Sequence, residues 1–215
     1  MSLKDDYEYI ARLVDNVEVV GKYKMPKLLE QDQLMPKVLY PFSKRKKVKE
    51  KSAMTIHFYQ PDYRFRPLLK NLDKCIEELK KFNGVISVDC SLYRDMFPTE
   101  QIYDSFLNHA IAYYMQVKGL LVYPNVRWGS KDSFEYCFDG YPKNYILSIG
   151  TRGCCDTVED KYFLKLGINE MLNRLNPKAV IVYGPMPKDV FDNFVGRTKF
   201  IHFEANYSET KGVVI

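Results

Sequence analysis

The chain has 215 residues, 46% of them hydrophobic. That suits a single domain able to bury roughly 70% of its unfolded surface without a disulfide or metal staple. Its apolar runs are far shorter than the roughly 20 residues a membrane helix needs, and acids stand in MSLKDDYEYIARL where a signal peptide is basic; secretion and membrane insertion are not expected, and a cytoplasmic location is. The net charge of +5 is local: Lys44, Arg45, Lys46, Lys47, Lys49 and Lys51, offset by Glu50, account for all of it.

Residues 1–51 carry little periodicity. Asp5 to Val14 predicts a short helix and Val17 to Val20 a strand, after which Pro26, Pro36 and Pro41 interrupt any regular pattern. This stretch reads as an arm packed over a body formed by residues 52–215. Its basic segment is either a solvated loop or a contact for phosphate backbones.

From Met54 the pattern becomes regular. Thr55 to Tyr59 is strand-like and closed by Pro61. Leu68, Leu69, Leu72, Ile76, Leu79 and Phe82 recur at helical spacing, with Asn83-Gly84 as the expected helix end. Val85 to Asp89 predicts the second strand. Pro98 suits the first turn of a helix striped by Ile102, Phe106, Ala110, Tyr113 and Val117 and ended by Gly119. Leu120 to Tyr123 is the third strand. A short helix over Ser133 to Phe138 has Asp132 as its expected cap. Tyr145 to Ile149 is the fourth strand, followed by a helix with Phe163, Leu166, Met171, Leu172 and Leu175 inward, stopped at Asn176-Pro177. Ala179 to Tyr183, a helix between Pro187 and Gly196, and Phe200 to Glu204 complete the series.

Such alternation implies an α/β fold with parallel (β/α) units. Two forms are open. A doubly wound open sheet favours continuous apolar strands. Here His57 and Tyr59, Ser87 and Asp89, Tyr123 and Asn125, and His202 and Glu204 put polar groups on alternate positions, which favours a barrel-like or rolled sheet of about six strands. The arm is a candidate for the missing closure.

Ligands of parallel α/β folds bind at the carboxyl ends of strands. That rule selects Asp62, Tyr63 and Arg64; Asp89, Ser91, Tyr93, Arg94 and Asp95; Asn125, Arg127 and Trp128; Thr151 and Arg152; Tyr183 and Gly184; and Glu204 and Asn206. Asp89 ends an apolar strand, so burial should raise its pKa unless Arg94 or Arg127 compensates. Asp89, Asp95 and Glu204 are the candidate acid, base or metal-coordinating groups; Asp62, Arg64, Ser91, Tyr93, Arg94, Asn125, Arg127, Trp128 and Arg152 are candidate ligand contacts. The plainer alternative makes Asp62–Arg64 and Arg94–Asp95 loop-capping pairs. Residues 150–155 resemble an anion-binding turn, with Cys154 beside Arg152 as a remote candidate nucleophile. The five cysteines are odd in number and lack a C-x-x-C pair, which argues against a zinc ribbon or a disulfide framework. No histidine spacing indicates a metal site. No cofactor is demanded, although the carboxylates and the amide suit Mg²⁺ or Mn²⁺.

Three functions are compatible with this set. The foremost is a small anionic, phosphate-bearing ligand at the strand ends, with or without chemistry on it. A second is a non-enzymatic accessory that binds nucleic acid through Lys44, Arg45, Lys46 and Lys47, with Tyr40 and Phe42 stacking beside them. The third is carbohydrate processing, with Asp89 and Glu204 as the carboxylate pair and Trp128 stacking on sugar. Oligomeric state is not legible.

The segments HFY at 57–59, DYRF at 62–65, SLYRDM at 91–96, PNVRWG at 124–129, Phe134 with Phe138-Asp-Gly140, and VYG at 182–184 together resemble a domain-of-unknown-function family of bacteria, mainly Firmicutes, and of phages and mobile elements. The resemblance runs from about Met25 to Glu204. It implies no settled activity; the genomic setting favours nucleic-acid or host–phage roles.

Overall fold

The computed structural model describes residues 3–205 and 210–214. Helix α1 (Leu3–Leu13) and the two-residue strands β1 (Val19–Val20) and β2 (Met25–Pro26) begin the chain. The body follows as β3 (Val38–Pro41), β4 (Thr55–His57), α2 (Leu72–Leu79), β5 (Gly84–Ile86), α3 (Pro98–Val117), β6 (Val122–Tyr123), β7 (Ile146–Gly150), α4 (Val158–Leu175), β8 (Ala179–Tyr183), α5 (Lys188–Phe191), β9 (Lys199–Phe203), β10 (Thr210–Lys211) and β11 (Val213–Val214). Strands β3 to β6 pair in parallel, as do β7 to β9. A single bridge, Asn125 to Ser148, joins the two groups.

At the far edges, β10 pairs antiparallel with β3, and β11, one residue further on, pairs antiparallel with β9. Gly212 alone separates β10 from β11, so adjacent residues extend the edges of both sheets. The interior packing also spans the two sheets. Leu39, Ile86, Tyr123, Ile146, Ile181, Tyr183, Ile201 and Phe203, drawn from six strands, form one interior cluster. Two separate clusters lie outside, one beneath α2 and α3 and one beneath α4 and α5. Burial on both strand faces explains runs such as AVIVY in β8, whose five residues are all buried.

The expected strands and helices are present with shifted ends, and the arm supplies β3 to the sheet. Several local expectations change. Gly84 does not close a helix in the left-handed region; it begins β5, where a β-carbon would press on Leu121 O at 3.0 Å. Asp132 lies inside a 3₁₀ turn, Lys131–Glu135, that begins after Ser130. Helix α3 is buried around most of its girth, Gln101, Asp104, Asn108 and Gln116 included, because α1 and β2 cover its outer side.

The weak seam between β6 and β7 is reinforced from the arm. Gln33 accepts from Ile146 N (2.9 Å) and donates to Val122 O (3.1 Å) and Ile146 O (3.2 Å). Gln31 accepts from Val122 N (3.0 Å) and donates to Leu120 O (2.8 Å). Two side-chain amides thus satisfy main-chain groups that a missing ladder leaves open.

Candidate functional site

At the carboxyl ends of the strands lies a cleft of about 740 Å³. Tyr59 follows β4, Asp89 and Ser91 follow β5, Arg127 and Trp128 follow β6, Gly150 ends β7 with Arg152 just after it, and Tyr183 ends β8; all of them line it. The period-2 geometry of strands explains the inward set: His57 and Tyr59 share one face, and Tyr123 and Asn125 share another.

A hydrogen-bonded network forms the floor. Asn125 Nδ2 donates to Asp89 Oδ1 (2.8 Å). The Tyr59 hydroxyl donates to Asn125 Oδ1 (2.8 Å) and lies 2.6 Å from Ser148 Oγ. Tyr141 holds the Asn125 carbonyl (2.7 Å), and Asn125 N donates to Ser87 Oγ (2.8 Å). The Arg127 side chain is only 14% exposed; its Nε sits 3.8 Å from Asp89 Oδ1, and its NH1 donates to Gly150 O (3.3 Å). Nε itself has no hydrogen-bond partner among the described residues. Tyr59 and Tyr183 stack at 5.0 Å beneath one wall.

Burial governs the titration of these groups. It raises the Asp89 carboxyl, and the opposing pull of Arg127 and Asn125 does not restore the ordinary value. Burial also works against the charge on Arg127, but Asp89 more than offsets this and the guanidinium stays protonated. The Tyr59 hydroxyl is pushed well up, chiefly by burial. His57, wholly enclosed, falls to about 3 and is neutral. Burial raises Cys154 despite Arg127, so Cys154 is a neutral thiol and not an activated nucleophile.

Residues 17–204 match the family model described as Domain of unknown function (DUF4417). The chain belongs to this family. It is 26% identical over 136 residues to the Gene 1 protein of Mycobacterium phage L5, covering 63% of this chain and 59% of that protein. Against the Gene 1 protein of Mycobacterium phage D29 it is 27% identical over 133 residues, covering 62% and 49%. The matches thus span about half to three-fifths of those relatives. No solved structure matches. The resemblance of the sequence motifs to a family of unknown function with phage members holds.

In this DUF4417 chain, Asp89, Ser91, Tyr93, Arg94, Asp95, Arg127, Trp128 and Arg152 line one cleft, with Asn125 directly beneath. Arg94 is already engaged: it pairs with Asp160 (2.9 Å) and packs over Phe163. Asp160 in turn completes the capping box of α4 with Thr157.

Three expected members stand apart. Glu204 is exposed and absent from the cleft lining. Ile201 and Phe203 occupy the interior, so strand alternation turns His202 and Glu204 to the opposite face. Asp62 accepts from Ser91 Oγ (2.9 Å) and pairs with Arg66 (3.1 Å), the structural role of a loop cap. Arg64 lies outside the lining, against Tyr63. The Asp89–Glu204 pair required for glycoside hydrolysis is therefore not assembled in the cleft. Trp128 lines the cleft, donates to Phe163 O (3.3 Å), packs on Phe138 and sits against Gly167.

Sequence reasoning passed over Tyr59, Ser148 and Asp160. Tyr59 was detectable through its alternation with His57; the roles of Ser148 and Asp160 depend on pairings that no local pattern encodes. Among the described residues, no group of three or more His, Cys, Asp or Glu side chains is placed to hold a metal ion, and no helix is long and apolar enough to cross a membrane.

Proposed function

We propose that the strand-end cleft binds a small anionic, phosphate-bearing ligand on Arg127. The supporting observation is a buried guanidinium on the cleft floor whose Nε lacks a hydrogen-bond partner among the described residues, next to a carboxyl biased towards its neutral form. At 3.8 Å from Asp89, Arg127 Nε makes no hydrogen bond to it, and charge-assisted hydrogen bonds to phosphate are among the strongest a side chain makes. Tyr93, 58% exposed on the cleft wall, offers aromatic surface for the rest of the ligand. Asp89, close to a fixed cation, is also the group equipped to give or take a proton if the ligand reacts.

Trp128 is the only tryptophan, so its emission reports on the cleft. Thymidine 5′-monophosphate, ribose 5-phosphate and inorganic phosphate serve as probes, with thymidine as the uncharged control. The expected result is saturable binding of a phosphate-bearing probe and a loss of about 10- to 100-fold without the phosphate, the worth of charge-assisted hydrogen bonds. Arg127→Met should lose the same factor, and the Asp89→Asn/Arg127→Met pair guards against an unpaired buried carboxylate. No binding of any phosphate probe, or equal binding of thymidine and its monophosphate, overturns the proposal.

A further inference from the structure

We propose that the ligand is one nucleotide of a single-stranded nucleic acid whose backbone continues from the cleft onto the basic turn after β3; this rests on the phosphate-binding reading of the cleft. The turn, Phe42–Lys47, leaves β3 at its carboxyl end, the end at which the cleft opens. The two are joined: Ser43 N donates to Gln60 Oε1 (3.3 Å), and Gln60 lines the cleft. A strand leaving the cleft past Gln60 therefore meets Lys44, Lys46, Lys47 and Lys49, of which the last three are exposed.

The structure also revises which groups of the basic segment are available. Arg45 folds back, pairing with Glu78 (3.0 Å) and covering the Phe42 ring at 4.0 Å. Phe42 is 5% exposed. Neither is free to touch nucleic acid, which leaves the lysines as point charges for phosphate. Stacking surface is found on the loops after β4 and β5 instead. Tyr93, which lines the cleft, is 58% exposed, and Tyr63 and Phe97, outside the lining, are 70% and 75% exposed. Exposed rings of this size mark an interaction surface. Aromatic faces next to lysines suit unpaired bases, each of which has a free π-face. A duplex keeps those faces stacked, and a strand-end cleft admits only a nucleotide out of its stack. Since the whole net charge of +5 sits in this segment, attraction to a polyanion is concentrated at this end.

The test uses the full chain with fluorescein-labelled twelve-nucleotide oligothymidylate and oligouridylate, and a blunt duplex of equal length. Fluorescence anisotropy measures their affinity, and Trp128 emission measures that of thymidine 5′-monophosphate. At least one single strand should bind 10-fold or more tighter than the mononucleotide and than the duplex; the deoxy and ribo arms identify which. With about three phosphates neutralised, log affinity should fall with log salt at a slope of about −2, roughly 20-fold between 50 and 200 mM. Lys46→Ala, Lys47→Ala and Lys49→Ala together, all solvent-facing, should make that slope clearly shallower and leave mononucleotide binding intact. If the mononucleotide binds but neither single strand gains over it, or the triple variant keeps the full slope, this proposal fails while the cleft reading stands. If the mononucleotide fails to bind, both fail.

Discussion

Asp89 and Arg127 form a pair whose two members are not equally served. Arg127 Nε stands 3.8 Å from the carboxylate, long for a charge-assisted hydrogen bond, whereas the neutral amide of Asn125 donates to it at 2.8 Å. Burial consequently wins over Coulomb attraction and Asp89 titrates above the ordinary carboxylate range. The sign of the linkage follows. Between the unfolded and folded pKa values the native state holds more protons than the unfolded chain, so this group's contribution to stability falls as pH rises through its folded value. Thermal unfolding of wild type and Asp89→Asn across pH 4 to 8 should therefore show the difference moving in favour of the variant with rising pH. Movement the other way would mean that Arg127 depresses Asp89. At this scale the sequence was informative about Asp89 and Arg127, because an acid closing an apolar strand and a base closing the next are local patterns. It misplaced Glu204, because which face of a strand looks inward is set by its neighbours: the same alternation turns Tyr59 in and Glu204 out.

Elements hold these side chains at the required depth. The seat of Trp128 is Gly167 on α4, where a β-carbon would collide with the indole. Gly167→Ala should force the ring out, at a cost of about 1–3 kcal/mol for overpacking, with a red-shifted Trp128 emission and weakened binding of cleft probes. Unchanged emission would show that the ring is not seated there. Gln33 performs an analogous service at the opposite end of the strands. Gln33→Ala leaves Ile146 N without its acceptor and should cost about 1–3 kcal/mol, read as a lower unfolding midpoint with faster hydrogen exchange at Val122 and Ile146; Asp32→Ala, at an exposed neighbour, is the control that should change neither. The regular helices and strands from Met54 onwards were legible from spacing because each repeats a burial period of its own. Strand β3 was not: four residues between Pro36 and the basic segment carry no period, and they become a strand only because β4 offers an edge. The Asp132 cap failed for a related reason, since the 3₁₀ turn begins two residues earlier, after Ser130.

For the molecule as a whole, three apolar clusters organise the chain: two beneath helices and one shared by strands of both sheets. The shared cluster extends to Tyr183 and Phe203, and there the polar network of Tyr59, Asn125, Ser148 and Asp89 takes over. The site is therefore where the shared packing ends, which is why residues far apart in sequence converge there and why the strand-end rule located most of them. The rule could not supply depth: it grouped Asp62 and Arg64 with Arg127, although only the last enters the cleft. The central claim is that Arg127, at the floor, receives a phosphate. A crystal structure of the chain with saturating thymidine 5′-monophosphate tests this most directly. The account predicts phosphate oxygens within hydrogen-bond distance of the Arg127 guanidinium, with the base along Tyr93. A nucleotide bound elsewhere, or a cleft that stays empty at saturation, would contradict it.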